Sequence, residues 1–371
     1  MKNARKLCIV ASDTHAPHFE QGVIQYVNDI AGEYAPDIIE PVKTETRRFS
    51  NGEVSPIITG NLRGNHAVVV GELSHETYLN YLFALNICRE EKAKSVAAVI
   101  TKLCYDRQDR RDRPGTCNQL CVIAHPIGMC ADEIILFDPH SLAVQSAFWT
   151  PGQFATPKQR FALRVVVTRV KEYIAKKFGA VKIGIVAPDA GASKVADAYS
   201  KLTGWDLAQG FKYRPEPNVA SVSSFAESGK MGTWDVAVIV DDMADTLGTL
   251  MAIAKEIRAR NKRCVILAAC AHPVLSGGPS SFERLADSEI SKLFVADTMH
   301  DLYRKFRDAE CTADQKRMEE GFLEMVCIQS LVAQSILVSF LGIRGSILYK
   351  FPYNPQEIND TLRKEIEKYC S

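Results

Sequence analysis

One stretch constrains the fold of this chain more than any other: Val236-Ala237-Val238-Ile239-Val240-Asp241-Asp242-Met243-Ala244-Asp245-Thr246-Leu247-Gly248-Thr249. The apolar run Val236 to Val240 predicts a strand buried on both faces, the kind that parallel sheets use. The strand is expected to stop at the two adjacent carboxylates. A polar loop follows, then a helix with Leu250, Ile253, Ala254 and Ile257 at the i, i+3, i+4, i+7 spacing. That order puts the loop at the carboxyl end of a strand, where open α/β sheets bind ligands. Backbone N–H groups from Asp245 to Thr249 would face outward at a helix N-terminus, which suits a phosphate. Gly248 allows close approach, and the Thr246 and Thr249 hydroxyls add donors. Asp241 and Asp242 would repel a lone phosphate. They fit a ligand that also brings hydroxyls or a cation, as a sugar phosphate does. The plainer alternative is a strand end with two solvated Asp and an N-cap at Asp245.

The same plan recurs along the chain. Lys6 to Ala11 predicts a first strand, Ser12 to His15 a polar turn, and Phe19 to Glu33 a helix. Ala67 to Val70 and Ser95 to Leu103 predict strands around a helix from Tyr78 to Arg89. The first half thus reads β-α-β-β-α-β, an α/β pattern. Between these elements lies Phe49-Ser50-Asn51-Gly52-Glu53. It offers an aromatic face, an amide and a carboxylate that could stack on a purine and read its edge. A hairpin turn at Asn51-Gly52 with Phe49 in the core is the plainer alternative.

The strand ending at Leu103 empties into Tyr105 to Pro114. Asp106 to Pro114 holds four Arg and three Asp, which fits either a solvated loop of mutual ion pairs or a clamp for a polyphosphate. Glu133 to Phe137 predicts a strand ending in Asp138-Pro139-His140, where His140 could ligate a metal or bond a phosphate, oriented by Asp138. Trp149 to Gly152 and Thr156-Pro157 read as a linker, with a domain boundary near Pro157. Beyond it, Phe161 to Lys177 predicts a helix and Val181 to Ala187 a strand. That strand feeds Pro188-Asp189-Ala190-Gly191, with a helix from Lys194 to Leu202. Asp189 could serve a ligand or merely cap the helix. Arg263 to Ala269 and Phe294 to Met299 predict further strands, Val326 to Ile343 a buried helix, and Asn354 to Ser371 an amphipathic helix.

Composition narrows the function classes. A formal net charge of +1 gives no bulk argument for nucleic acid or an anionic membrane. The 11 Cys are odd in number and sit largely in apolar runs, which fits reduced thiols in a cytoplasmic protein better than disulfides. Cys117, Cys121, His125 and Cys130 lack the paired spacing of zinc ribbons. No apolar run reaches transmembrane length.

These stretches resemble the ribose-phosphate pyrophosphokinase (phosphoribosyl-pyrophosphate synthetase) family. The similarity runs over most of residues 7–350, and its motifs occur in family order. Val-Asp-Asp-Met-Ala-Asp-Thr-x-Gly-Thr is similar to the family's ribose 5-phosphate loop, Phe-Ser-Asn-x-Glu to its adenine-side turn, and Arg107-Gln108-Asp109 to its ATP clamp. The resemblance implies an α/β fold of two phosphoribosyltransferase-like (Rossmann-like) domains, each a mainly parallel sheet flanked by helices. Residues 1–157 would form the ATP side, 158–353 the ribose 5-phosphate side, and 354–371 a helical extension. It implies ATP binding by Phe49, Asn51, Glu53, Arg107, Gln108, Asp109 and His140. It implies ribose 5-phosphate binding by Asp189, Asp241, Asp242, Asp245, Thr246, Gly248 and Thr249. Mg2+ would be held near His140, Asp138 and Asp189. Lys212 and Arg214 match the family's Lys-x-Arg on a mobile loop just after a strand, which stabilises the transferring group. Gly345 to Tyr349 resembles the family's closing strand.

The activity so implied is transfer of the β,γ-diphosphoryl group of ATP to ribose 5-phosphate. Family members are commonly hexamers built from dimers, so a homo-oligomer is expected, with no nucleic acid or membrane partner. The chain departs from the family after Arg113, which puts phosphate and ADP control in doubt. It also departs at Trp149, where the family tends to have Asp. Two other readings stay open: a non-catalytic subunit that associates with such synthetases, and a phosphoribosyltransferase sharing only the loop.

Overall fold

The computed structural model describes residues 5–12, 17–141, 143–149, 156–216, 219–226, 228–299 and 321–370. The Asp13 to His15 part of the first turn, most of the 149–157 linker and residues 301–320 lie outside the described residues. The chain forms two compact units, one of residues 1–161, 328–350 and 354–371, the other of 162–327 and 351–353. These units are not one linear cut: the last part of the chain returns to the first unit.

In the first unit, β1 (Leu7–Ala11) leads to α1 (Pro17–Ala31), then a hairpin of β2 (Val42–Arg48) and β3 (Val54–Gly60). Next come β4 (His66–Glu72), α2 (Tyr78–Glu90), β5 (Ser95–Lys102), α3 (Gln119–Cys130), β6 (Glu133–Phe137), the single turn α4 (Val144–Ala147) and β7 (Lys158–Arg160). The sheet order is β1-β4-β5-β6-β7, with every pair parallel. Strands such as Ala67–Val70 and Val96–Ile100 are fully buried, which is why they read as continuous apolar runs rather than alternating ones. Tyr81, Ala84, Leu85 and Cys88 turn one face of α2 onto this core.

The second unit opens with α5 (Ala162–Phe178) and β8 (Ile183–Ala187). It continues through α6 (Ser193–Thr203), the hairpin β9 (Asp206–Glu216) and β10 (Val219–Ala226), and β11 (Val236–Ala244). Then follow α7 (Gly248–Arg260), β12 (Val265–Pro273), α8 (Pro279–Ala286), β13 (Lys292–Ala296) and β14 (Leu323–Val326). The order is β10-β9-β8-β11-β12-β13-β14, parallel throughout except for β10. Chain progress reverses between β8 and β11: β9 lies on one side of β8 and β11 on the other. Such a reversal opens a crevice at the carboxyl edge, the place where open α/β sheets take ligands. The first sheet has no such reversal.

Several expectations are corrected. β11 does not stop at the carboxylates but runs to Ala244, because β12 runs on beside it and satisfies its backbone (Asp241 with Cys270, Met243 with His272). Lys212 and Arg214 lie within β9 rather than on a loop after a strand, because β10 folds back and pairs with that segment. Gly345–Tyr349 is a 3-10 helix, since β14 already occupies the edge of β13. The run from Val326 divides: Val326 ends β14, and the buried helix α9 spans Gln329–Phe340. The final helix, α10 (Pro355–Cys370), is amphipathic as expected, with Ile358, Leu362 and Ile366 buried. Among the described residues no helix is long and apolar enough to cross a membrane.

Candidate active site

The first unit presents two groups of the expected residues. β2 and β3 meet in a tight turn: the Phe49 N–H donates to the Glu53 carbonyl (2.9 Å) and the Gly52 N–H to the Phe49 carbonyl (2.9 Å). The Asn51 side-chain oxygen accepts from the Glu53 N–H at 3.1 Å. Gly52 has φ +90°, which favours glycine. The hairpin reading is right, but its core assignment is not: Phe49 is 53% exposed, a flat apolar face standing in solvent at the tip. The tip's hydrogen bonds are internal to the turn. The hairpin itself is steadied by the Asn80 amide, which donates to the Thr46 hydroxyl at 3.2 Å.

The second group sits at the carboxyl ends of β5 and β6. Here a pair that sequence reasoning missed fastens the loop. Lys102 Nζ lies 2.8 Å from Asp106 Oδ2, with side-chain exposures of 9% and 6%. The same ammonium donates to the Leu103 carbonyl at 2.6 Å. The chain is thereby folded back at once after β5, and Tyr105 takes φ +56°. Arg107 and Gln108 emerge exposed beyond this knot. Asn118 donates to the Asp109 carbonyl at 2.7 Å, tying the loop to the start of α3. Ser141 Oγ donates to the Asp109 carboxylate at 2.6 Å, which joins Arg107–Asp109 to the Asp138–Ser141 loop. Asp138 is buried with φ +38°, and its N–H donates to the Arg160 carbonyl at 2.9 Å. His140 is exposed. The signal for the buried pair was a Lys at the end of an apolar strand with Asp four residues on. In a run this charged, that spacing does not stand out.

The second unit gathers the sugar-phosphate candidates at its crevice. β8 and β11 pair only as far as Val186 and Ile239, so Asp241 and Asp242 lie on β11 beyond its β8 neighbour. Asp189 Oδ1 accepts from the N–H groups of Gly191 (2.9 Å) and Ala192 (3.2 Å), a local turn before α6. Its charge nevertheless reaches Asp241. The Asp241 carboxyl is pushed well above the ordinary carboxylate range, first by loss of solvent, then by Asp242 and more weakly by Asp189. The buried thiol of Cys270, the β12 neighbour of Asp241, is pushed up too, by burial first and by Asp241 and Asp242 after it. The carboxylates of Asp189, Asp241 and Asp242 thus act on one another at one crevice.

The loop beyond leads into the N-terminus of α7. Asp245 is not the N-cap of α7: its carboxylate accepts from Ser276 Oγ at 2.6 Å, and the Leu275 N–H donates to the Ala244 carbonyl at 2.9 Å. The loops after β11 and β12 are thereby latched, as Ser141 latches Asp109 in the first unit. The N-cap position falls to Leu247, at φ +62°, whose side chain supplies no capping bond. A left-handed Leu costs roughly 1–2 kcal/mol, a strain of the kind that collects at ligand sites. Gly248 is not demanded by the protein itself. A Cβ there would meet Thr246 Oγ1 at 3.7 Å, ordinary contact. The fold itself therefore leaves room for a side chain at this position.

Lys212 and Arg214 are placed by register. Gln209 is the last residue of β9 paired with β8, opposite Ala187. From Gly210 the strand runs past the carboxyl edge, paired with β10 alone. Gly210 is sterically required, since a Cβ would lie 2.7 Å from Ile253 Cδ1. Buried His272, at the end of β12, keeps its Nδ1 2.8 Å from Thr298 Oγ1. That hydroxyl donates to the Ala271 carbonyl at 3.0 Å, so it accepts from the ring and holds the proton on Nδ1.

The architecture and this edge define the class: an α/β protein with a mainly parallel sheet whose candidate ligand site lies at a strand-order reversal, with carboxylates ahead of a helix N-terminus. Comparison with known proteins makes this specific. A family model described as the N-terminal domain of ribose phosphate pyrophosphokinase matches residues 8–128. The ribose-phosphate pyrophosphokinase of Aquifex aeolicus (strain VF5) is 31% identical over 294 residues, covering 78% of this chain and 85% of that protein. That of Ralstonia nicotianae is 30% identical over 290 residues, covering 76% and 83%. The crystal structure of phosphoribosylpyrophosphate synthetase from Mycobacterium smegmatis matches with a TM-score of 0.71 at 22% identity, over 91% of this chain and 100% of that one, a likeness of fold. The chain belongs to the ribose-phosphate pyrophosphokinase family.

Proposed function

We propose that the protein is a ribose-phosphate diphosphokinase. The 1-hydroxyl oxygen of ribose 5-phosphate attacks the β-phosphorus of ATP. The bond from that phosphorus to the oxygen bridging it to the α-phosphate breaks, AMP leaves, the hydroxyl proton passes to solvent, and 5-phosphoribosyl 1-pyrophosphate forms. The observation that carries this reading is the second-unit crevice. Asp241 and Asp242 stand on β11 just ahead of the N-terminus of α7, and a pentose phosphate matches both, its hydroxyls the carboxylates and its phosphate the helix end.

Asp241 and Asp242 accept from the sugar hydroxyls, and the amides of Asp245–Thr249 take the 5-phosphate. Phe49 stacks on the adenine while Asn51 and Glu53 read its edge, and Arg107 and Gln108 meet phosphate oxygens with Asp109 orienting the loop. Lys212 and Arg214, carried past the sheet edge on β9, offset charge that builds on the transferring group.

Mg2+ fits the donors present. Among the described residues no group of three or more His, Cys, Asp or Glu is arranged to hold a metal alone. Mg2+ usually takes one or two protein carboxylates plus substrate phosphates, so this is the ordinary arrangement for an ion that arrives with ATP. Asp138, His140 and Asp189 are the candidate residues toward the ion, which would offset phosphate charge. The protein acts in the cytoplasm as an oligomer of its own chain.

The test is direct: purified protein, magnesium, ATP and ribose 5-phosphate, with AMP followed over time. AMP release that falls by at least ~100-fold in Lys212→Ala supports the reading. Binding without turnover indicates a non-catalytic subunit, and consumption of a nucleobase with supplied 5-phosphoribosyl 1-pyrophosphate indicates a transferase.

A further inference from the structure

We infer that Arg284 is a phosphate-binding residue of the second-unit site and sets its preference for a phosphorylated pentose. The inference rests on the ribose 5-phosphate reading of that crevice and extends it to a helix not among the residues assigned above. α8 is held down by Phe282 and Leu285, both buried in the core of the second unit. Arg284 is exposed on the same helix. Its Nη2 lies 3.9 Å from where a Cβ would stand on Gly248, so the guanidinium hangs over the first residue of α7.

That is an electrostatically poor place for a cation. The N-terminus of a helix carries about half a positive charge and repels a guanidinium. No carboxylate among the described residues forms an ion pair with Arg284, and the Asp245 carboxylate in the same loop accepts from Ser276 Oγ. A planar, permanently charged donor and a set of helix-end amides converge on one volume above Gly248. A phosphate between them satisfies both, the amides from one side and the guanidinium bidentately from the other. The absence of any steric demand for glycine at 248 fits the same picture, because the space a Cβ would take lies between the two.

The experiment compares wild type with Arg284→Gln and Arg284→Lys. Steady-state AMP release is measured with ATP and ribose 5-phosphate varied separately, and ribose 5-phosphate binding is measured by calorimetry without ATP. R284Q is expected to raise the KM and the Kd for ribose 5-phosphate by roughly 10- to 100-fold, the size of a lost charge-assisted contact, with the KM for ATP unchanged. R284K is expected to fall between the two, keeping the charge and losing the fork. With unphosphorylated ribose as substrate, wild type and R284Q should be equally poor. An unchanged ribose 5-phosphate affinity overturns the inference, and so does an equal loss for both substrates, which would mark a structural role. If wild type binds ribose 5-phosphate through Arg284 yet releases no AMP, the inference stands and the catalytic reading fails. If wild type does not bind ribose 5-phosphate at all, both fail.

Discussion

Removing one partner of the Lys102–Asp106 pair should cost heavily. Both side chains are more than nine-tenths buried and 2.8 Å apart. Taking away one partner leaves an uncompensated charge in the interior, a loss of roughly 3–5 kcal/mol. Against a total stability of about 5–15 kcal/mol that is a large fraction. In a unit of this size, Lys102→Met should lower Tm by roughly 6–20 °C. Asp106→Asn should be comparably harmful. The double variant Lys102→Met with Asp106→Leu should recover most of the loss, since replacing a buried pair by packed apolar groups is often neutral. About 1 kcal/mol should persist, because the Leu103 carbonyl loses the ammonium that bonds it at 2.6 Å. The pair of Lys201 and Asp197 is a control: it has the same i,i+4 spacing but exposures of 74% and 45%, so Lys201→Met should cost under ~1 kcal/mol. Denaturant unfolding of the four-member cycle gives the coupling energy, and the KM for ATP reports whether the Arg107–Asp109 loop moved. Single variants within about 0.5 kcal/mol of wild type, or a double variant as unstable as the sum of the singles, would refute the argument.

Two further outcomes follow from the second unit. Gly248→Ala should leave Tm nearly unchanged, since the Cβ meets only ordinary contacts at 3.7 Å, yet weaken ribose 5-phosphate binding at least ~10-fold; a large fall in Tm would mean that the glycine serves the fold. Asp241 holds its proton in the folded state to a pH above the unfolded value, about 3.9, so unfolding releases a proton between the two values and stability declines as pH rises across that window. Asp241→Asn should lack this decline and melt higher than wild type at neutral pH while losing sugar binding, and parallel Tm–pH curves for the two proteins would contradict it.

The parts of this protein that could be read from its residues are those with a local cause. Val236–Val240, Val96–Ile100 and Glu133–Phe137 are strands because apolar runs bounded by polar turns have few other uses, and each emptied into chemistry-bearing residues. Asp245, Arg107 and Asp189 could be located just beyond strand ends for that reason. What pairing partners decide could not be read. β11 continues through two carboxylates only because β12 continues beside it, and Lys212 lies in a strand only because β10 folds back on it. Phe49 was legible as a candidate but not its exposure, which depends on how far the hairpin projects from the sheet. Lys102 and Arg284 were missed because a single cation in a charged run or on a short helix has no pattern; only burial and proximity single them out.

By itself, the amino-acid order settled the class of fold, the order of the loops and the types of donor on each, because hydrophobic periodicity and turn chemistry act within a few residues. Tertiary structure alone decided that the strand order reverses between β8 and β11, that Asp189, Asp241 and Asp242 therefore share one crevice, and that Arg284 reaches the helix end at Gly248. Those facts are set by which strands lie side by side across long sequence separations, and no local spacing encodes them.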